Sequence, residues 1–303
     1  MDGLVTTASQ PRRPPITAMP DEACDCHTHV FGPYGRFPLA SGRTYSPVEA
    51  PLPELLALHD ALGVRRLVIV QPSVYGTDNS CTEAALVGLA GRGRGVAVVD
   101  PDIDTATLLR MHQAGFRGVR LNFMTAGPPA AGAAETLRHM AERVGPLGWH
   151  LQLFCTLAAT AALAETIDGL GVPVVLDHFA WPGPEETMAA LDWRRLLRLV
   201  QRGAAWVKLS AQHRMTERGL SSGTLGELAG SLAAANPDRL LWGTDWPHPG
   251  AFLPRPGPGR GAEAVSPLHE VDDARDLDRL ADWFGDKALL APILFTLQSE
   301  WRH

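Results

Sequence analysis

The chain has 303 residues, 45% of them apolar and 20% charged, enough for a substantial core and near the upper size of one domain. A formal charge of −6 and a pI near 6.0 leave no basic footprint for nucleic acid or an anionic membrane, although local arginines can still build a pocket for a small anion. No apolar run approaches transmembrane length, and the four cysteines (Cys24, Cys26, Cys81, Cys155) contain no CxxC pair, which fits a reducing cytoplasm.

Residues 1–20 hold Arg12, Arg13 and several prolines but no apolar leader core, and read as a flexible tail. From residue 21 to 303 the pattern is one domain. Short β-rich runs at about 22–30, 65–72, 95–100, 116–122, 148–155, 173–179, 204–210 and 239–245 alternate with helical segments. The helices fall at about 52–62, 80–91, 104–114, 133–144, 157–168, 187–201, 222–235 and 275–284, with a last one near 286–298. Eight strand–helix pairs in this length predict a closed (β/α)8 TIM barrel, a single α/β domain. A doubly wound open sheet is the alternative, but the first strand-to-helix turn lacks a glycine-rich phosphate loop. Two long connections, 31–51 and 246–272, would lie at the C-terminal mouth of such a barrel, where loops shape the substrate site.

The first strand carries Asp25-Cys26-His27-Thr28-His29. Side chains alternate along a strand, so Asp25, His27 and His29 are expected on one face. Burying three titratable groups there requires hydrogen bonds, a ligand or a metal in compensation. Other polar residues fall at later strand ends: Gln71 and Ser73, Arg120 and Asn122, Gln152, His178, Lys208 and Ser210, and Asp245. His27, His29, His178 and Asp245 form a plausible set for one Zn²⁺. The same residues also work without metal, Asp245 taking a proton from water while histidines polarise a carbonyl. Arg120 has the fork geometry to clamp a carboxylate, a salt bridge to a neighbouring strand's acid being its other reading; Arg214 is a second clamp candidate. Tyr45 and the turn Tyr75-Gly76-Thr77-Asp78-Asn79 offer neutral hydrogen bonds.

The ordered set Asp25-Cys26-His27-Thr28-His29-Val30-Phe31-Gly32-Pro33, Tyr45, Gln71-Pro72-Ser73, Gly76-Thr77-Asp78-Asn79, Arg120-Leu121-Asn122, Asp177-His178, Lys208-Leu209-Ser210 and Gly243-Thr244-Asp245-Trp246-Pro247-His248 resembles the amidohydrolase superfamily. Within it the set is most similar to enzymes of the 2-pyrone-4,6-dicarboxylate lactonase type. That resemblance implies a (β/α)8 hydrolase that opens a lactone by water attack on the ring ester carbonyl, in aromatic or sugar-acid catabolism. It implies Asp245 as general base, His27, His29 and His178 around the carbonyl, and Tyr45, Ser73, Thr77, Arg120 and Arg214 on the substrate's carboxylates.

Two-metal relatives carry a bridging lysine or glutamate on strand 4 and a histidine on strand 5. Arg120 and Gln152 stand there in this chain, so the resemblance implies no metal or a single Zn²⁺. That branch works without metal, while its 4-sulfomuconolactone hydrolases are regarded as zinc-dependent. One departure concerns substrate: dicarboxylate lactonases have a second arginine shortly after the strand 4 arginine, and this chain reads Met124-Thr125-Ala126-Gly127. Arg43, His213 and Arg214 are candidates to take its place. A zinc-dependent decarboxylase or other lyase, or a sugar-acid lactonase, is the alternative within the superfamily. The expected partner is a small anionic lactone, and a homo-oligomer is compatible with the sequence.

Overall fold

The structure, a computed structural model, describes residues 4–124, 132–186, 188–250 and 264–285, with 290, 293 and 294. Eight parallel strands form the barrel wall: β1 Cys24–Thr28, β2 Arg66–Val70, β3 Gly93–Ala97, β4 Phe116–Asn122, β5 His150–Phe154, β6 Val174–Leu176, β7 Ala205–Ser210 and β8 Leu240–Gly243. Hydrogen bonds join them in sequence order from β1 to β8. Period-two alternation divides each strand between two cores. In β2, Leu67 and Ile69 join the large layer between sheet and helices, while Val68 and Val70 pack inside the barrel with Cys24, Cys26, Val96, Val175 and Leu241.

Helices α1 Leu52–Leu62, α2 Ser80–Gly88, α3 Thr105–Gln113 and α4 Ala133–Val144 cover the first half of the wall. The second half is covered by α5 Leu157–Ala162, α6 Ala164–Asp168, α7 Leu191–Gln201, α8 Gln212–Glu217, α9 Ser222–Ala235 and α10 Asp273–Phe284. Their apolar stripes supply the outer layer: α7 buries Trp193, Leu196, Leu199 and Val200, spaced to share one helical face. Side-chain caps start several of them, Asp104 for α3, Ser221 for α9 and Asp272 for α10.

The ring closes between β8 and β1 through a mixture of backbone and side-chain bonds. Asp245 N–H donates to His27 O (2.9 Å) and His29 N–H to Trp246 O (2.8 Å). Between them the Asp25 carboxylate stands in for a ladder acceptor. Its Oδ1 accepts from Thr244 N–H (3.0 Å) and His27 N–H (3.1 Å), and its Oδ2 from the Thr244 hydroxyl (2.6 Å), with His59 Nε2 of α1 at 3.1 Å. Gly243 permits the approach, since a Cβ there would sit 2.7 Å from His27 Cβ.

This closure corrects one expectation. Asp25 does not share a face with His27 and His29, because the ladder slips within β1: Asp25 pairs with Leu67 but Thr28 with Ile69, three steps against two. The bulge leaves Asp25 turned towards α1 and Cys26 inside the barrel, and it returns His27 to the interior.

Other differences are local. β3 starts at Gly93, earlier than expected, because glycines carry little strand signal. Gly95 is needed there, as a Cβ would lie 2.7 Å from the Phe116 ring. The segment 157–168 divides into α5 and α6 at Leu163, and the short α8 is new. The expected helix near 286–298 lies largely outside the described residues. Residues 4–20, expected as a flexible tail, carry partners: Leu4 and Val5 pair antiparallel with His269 and Leu268, Arg12 with Glu270 (2.7 Å), and Arg13 with Asp278 (2.8 Å). The two long mouth connections are tied together where Ser46–Pro47 pairs with Val265–Ser266.

Candidate active site

His27 in β1, His29 just past it, His178 after β6 and Asp245 after β8 converge at the C-terminal ends of the strands. Their backbones are held in an unusual state. His178, Phe179, Ala180 and Trp181 have φ of 52°, 58°, 62° and 53°, and Ala211, Asp245 and His248 have 54°, 68° and 62°. Non-glycine residues reach this left-handed region at roughly 1–2 kcal/mol each, and such strain collects where geometry serves function.

Asp245 is the centre of the arrangement. Its Oδ1 lies 3.7 Å from His27 Nε2, 3.6 Å from His29 Nε2 and 3.8 Å from His178 Nε2. On the other side Oδ2 accepts from Arg214 Nε (2.7 Å), and His213 Nε2 is 3.7 Å away. All of these groups except His213 are at least nine-tenths buried. Burial alone would push the Asp245 carboxyl up, but the Arg214 guanidinium, with His178 next in weight, holds it well below the usual carboxylate range. Burial brings His178 down to about 4 against the pull of Asp245 and Asp177, and His27 is likewise lowered well below its ordinary value by burial. His27 and His178 are therefore neutral beside an ionised carboxylate at neutral pH.

The far nitrogen of each ring has its own partner. His29 Nδ1 is 2.7 Å from the Val70 carbonyl, which can only accept, so Nδ1 carries a proton and Nε2 is the ring atom turned to Asp245. His178 Nδ1 meets the Ser210 hydroxyl at 2.8 Å. His27 Nδ1 lies between Asp177 Oδ1 (3.2 Å) and Lys208 Nζ (3.3 Å).

Below this ring is a buried polar layer. Asp177 Oδ2 accepts from Arg120 Nε (3.1 Å), Arg120 Nη2 (3.0 Å) and Gln152 Nε2 (3.1 Å). Lys208 donates to Gln152 Oε1 (2.7 Å) and lies 3.7 Å from Asp177 Oδ1. Burial opposes the Asp177 charge, and His27, Arg120 and Lys208 together hold the carboxyl well below its usual range. Arg120 thus has the salt-bridge partner that was its other reading, and its guanidinium also lies over Phe154, 5.0 Å from the ring centre. Phe154 stands edge-on to His178 and to Trp181, making an aromatic wall that strand-end polarity does not reveal.

The other expected residues divide. Tyr45 is buried beside Ser73, Arg214, Arg120 and Asp245, its phenol pushed up by burial. Thr77 is exposed on the loop after Ser73, and Gln71 is spent on that loop, accepting from Thr82 and donating to Asp78 O. Arg43 bonds Ser46 Oγ and Ala40 O within its own connection.

Among the described residues two groups could hold a metal ion, each with ligand atoms within 4.8 Å of one another: His27, His29 and Asp245, and His27, Asp177 and His178. His178 falls in the second group, and its Nε2 is also 3.8 Å from Asp245 Oδ1.

Together these features define a (β/α)8 barrel with a histidine–carboxylate centre at its C-terminal mouth. The chain belongs to the amidohydrolase family, whose model (Amidohydro_2) matches residues 24–264. It is 35% identical to a 4-sulfomuconolactone hydrolase of Hydrogenophaga intermedia over 77% of each chain. It is 34% identical to a 2-pyrone-4,6-dicarboxylate hydrolase of Comamonas testosteroni over 82% of this chain and 83% of that one. A Pseudomonas putida crystal structure, described as a candidate 2-pyrone-4,6-dicarboxylic acid hydrolase, superposes with a TM-score of 0.74 at 30% identity, covering 93% of this chain and 98% of the other.

Proposed function

We propose that this protein hydrolyses a carboxylated lactone, of the 2-pyrone-4,6-dicarboxylate or muconolactone kind, by Asp245-assisted attack of water on the ring ester carbonyl. The observation that carries the reading is the Asp245 carboxylate, with Oδ1 ringed by three imidazole nitrogens and Oδ2 fixed by Arg214. The relatives' names support the lactone as substrate.

The roles follow from the tautomers. A water donating a hydrogen to Asp245 Oδ1, with His29 Nε2 beside it, is oriented for attack. A Ser210 hydroxyl donating to His178 Nδ1 leaves Nε2–H free to donate to the carbonyl oxygen. Lys208 donating to His27 Nδ1 does the same for His27. The water oxygen bonds the carbonyl carbon, its proton passes to Asp245, the ring C–O bond breaks, and the departing ring oxygen recovers the proton. We assign Tyr45, Ser73, Arg120 and Arg214, gathered beside Asp245, to the substrate's carboxylate, with Thr77 reaching it from the exposed loop after Ser73.

A single divalent ion also fits. His29 Nδ1 is committed to the Val70 carbonyl, which leaves Nε2 as its ligating atom, and His27 Nε2 is buried without a hydrogen-bond partner. His27, His29 and Asp245 are the residues that would hold the ion, which when bound supplies Lewis acidity towards carbonyl and water. Holding it requires His27 to turn Nδ1–H to Asp177, leaving its Nε2 lone pair free.

Four free, buried cysteines support a reducing compartment, and we place the enzyme in the cytoplasm, in the breakdown of aromatic compounds. The test is ring opening of 2-pyrone-4,6-dicarboxylate and of monocarboxylated lactones by the purified protein, followed by ultraviolet absorbance with metal content measured in parallel. Failure to open any of them overturns the proposal.

A further inference from the structure

We infer that the N-terminal arm, residues 4–17, is a positioning element of the active site: it holds the turn that carries Asp245 in its working conformation. The inference rests on the reading of Asp245 as the base and adds to it a distant segment of the chain.

The connection runs through backbone, with Leu268–His269 as the middle of a three-part ladder. On its inner side His269 N–H donates to His248 O (2.8 Å) and Gly250 N–H to Pro267 O (2.9 Å), around an antiparallel bridge between Pro249 and Leu268. On its outer side Leu268 and His269 pair with Val5 and Leu4. In an antiparallel ladder successive residues turn their N–H and C=O groups to opposite sides. His269 and Pro267 face the turn, so Leu268 faces Val5. His248 carries the contact on to the base, its own N–H donating to Asp245 O (2.9 Å). Asp245 and His248 are both left-handed, with φ of 68° and 62°, a conformation that residues with a Cβ keep only where the surroundings fix it. The arm supplies the outer part of that fixing.

The arm is itself fastened at several points. Ser9 Oγ accepts from Val271 N–H (3.3 Å) and donates to His269 O (3.4 Å), clasping the strand just beyond the ladder. Arg12 pairs with Glu270 (2.7 Å). Gln10 Nε2 donates to Glu54 O in α1 (3.0 Å), and Thr17 N–H to Asp278 Oδ1 in α10 (2.8 Å), beside the Arg13–Asp278 pair. The arm therefore bridges the helix after β1 and the helix after β8, across the seam where the barrel closes. Beneath Val5–Arg12 lies a cavity of about 1240 Å³ bounded by α8 and α10, whose lining includes His213, the imidazole 3.7 Å from Asp245 Oδ2. With that space below it the arm is held by polar bonds more than by packing, so few substitutions release it.

The test is Val5→Pro/Ser9→Ala in the full-length chain, which removes an amide and a hydroxyl that hold the strand. Folding is checked by circular dichroism, and hydrogen exchange is read by mass spectrometry. Amides in the peptide covering residues 243–250 are expected to exchange at least about tenfold faster than in wild type, with those of β5 and β6 unchanged. On a lactone that the wild type opens, kcat is expected to fall at least about tenfold while KM stays within about threefold, because Tyr45, Ser73 and Arg120, assigned to the carboxylate, lie on other elements. Ser9→Thr keeps the hydroxyl and is expected to keep the wild-type exchange and kcat. Unchanged exchange in 243–250 overturns the inference, as does an unchanged kcat in a variant whose turn exchanges faster. Should the proline variant not fold, Ser9→Ala/Arg12→Ala is read by the same criteria, with changes of at least about threefold expected in both exchange and kcat. If the wild type opens no lactone, the proposed reaction fails and the exchange rates alone decide the inference.

Discussion

The Thr244–Asp25 contact is the most specific structural joint beneath the site, and Thr244→Val perturbs it with almost no change in volume. The hydroxyl donates to Asp25 Oδ2 at 2.6 Å and accepts from Trp246 N–H at 3.1 Å. A hydrogen bond to a charged group contributes about 1.5–3 kcal/mol, and a stranded buried N–H costs about 1–3 kcal/mol, so the loss should be about 3 kcal/mol. At about 2 °C per kcal/mol for a chain of this size, melting should fall by about 6 °C. Asp245 follows Thr244 directly, so turnover should fall as well. The assay is thermal and urea unfolding of Thr244→Val, Asp25→Asn and the double variant. Because the two side chains share one bond, their effects should be less than additive by about 1 kcal/mol or more. A loss under about 0.5 kcal/mol in Thr244→Val, or strict additivity, would refute Asp25 as the residue that closes the barrel.

Three further outcomes are expected. His178 is brought from an ordinary value near 6.5 to about 4, so between these limits the unfolded chain binds the proton and the folded one does not; stability must fall as pH drops through that window. At about pH 5 this contributes a loss of about 2 kcal/mol relative to about pH 7.5, and urea titrations of wild type and His178→Gln should differ by that amount in their pH dependence. Gly243→Ala drives a Cβ to within 2.7 Å of His27 Cβ and should cost about 1–3 kcal/mol of stability while lowering kcat by displacing His27, which unfolding curves and kinetics can read together. Arg214→Met removes the charge that keeps Asp245 ionised, so its carboxyl rises and the acid limb of kcat/KM moves to higher pH; an unmoved limb would exclude Arg214 from that role.

Much of this organisation is legible in the residues. Eight alternations of apolar strand and amphipathic helix define the barrel, and polar residues at strand ends mark its mouth, so His27, His29, His178, Asp245 and Arg120 stand out. What stays hidden depends on one-residue or long-range events. The β1 bulge that turns Asp25 away leaves no trace in hydrophobic pattern, since period two alone places it with His27. The Arg120–Asp177 pair joins residues 57 apart in the chain, and both of its readings are open until β4 and β6 are placed. α8, which buries Arg214 and brings His213 beside Asp245, has six residues and buries Gln212 and Arg214 along with Met215, so it shows no apolar periodicity. Thr77, which the resemblance places on the substrate, is exposed on its loop.

The most direct measurement compares wild type and Asp245→Asn, both shown folded by circular dichroism, on a carboxylated lactone that the wild type opens. Removing the general base should lower kcat by about 100-fold or more. An Asp245→Asn enzyme within about threefold of wild type would contradict Asp245 as the residue that activates water.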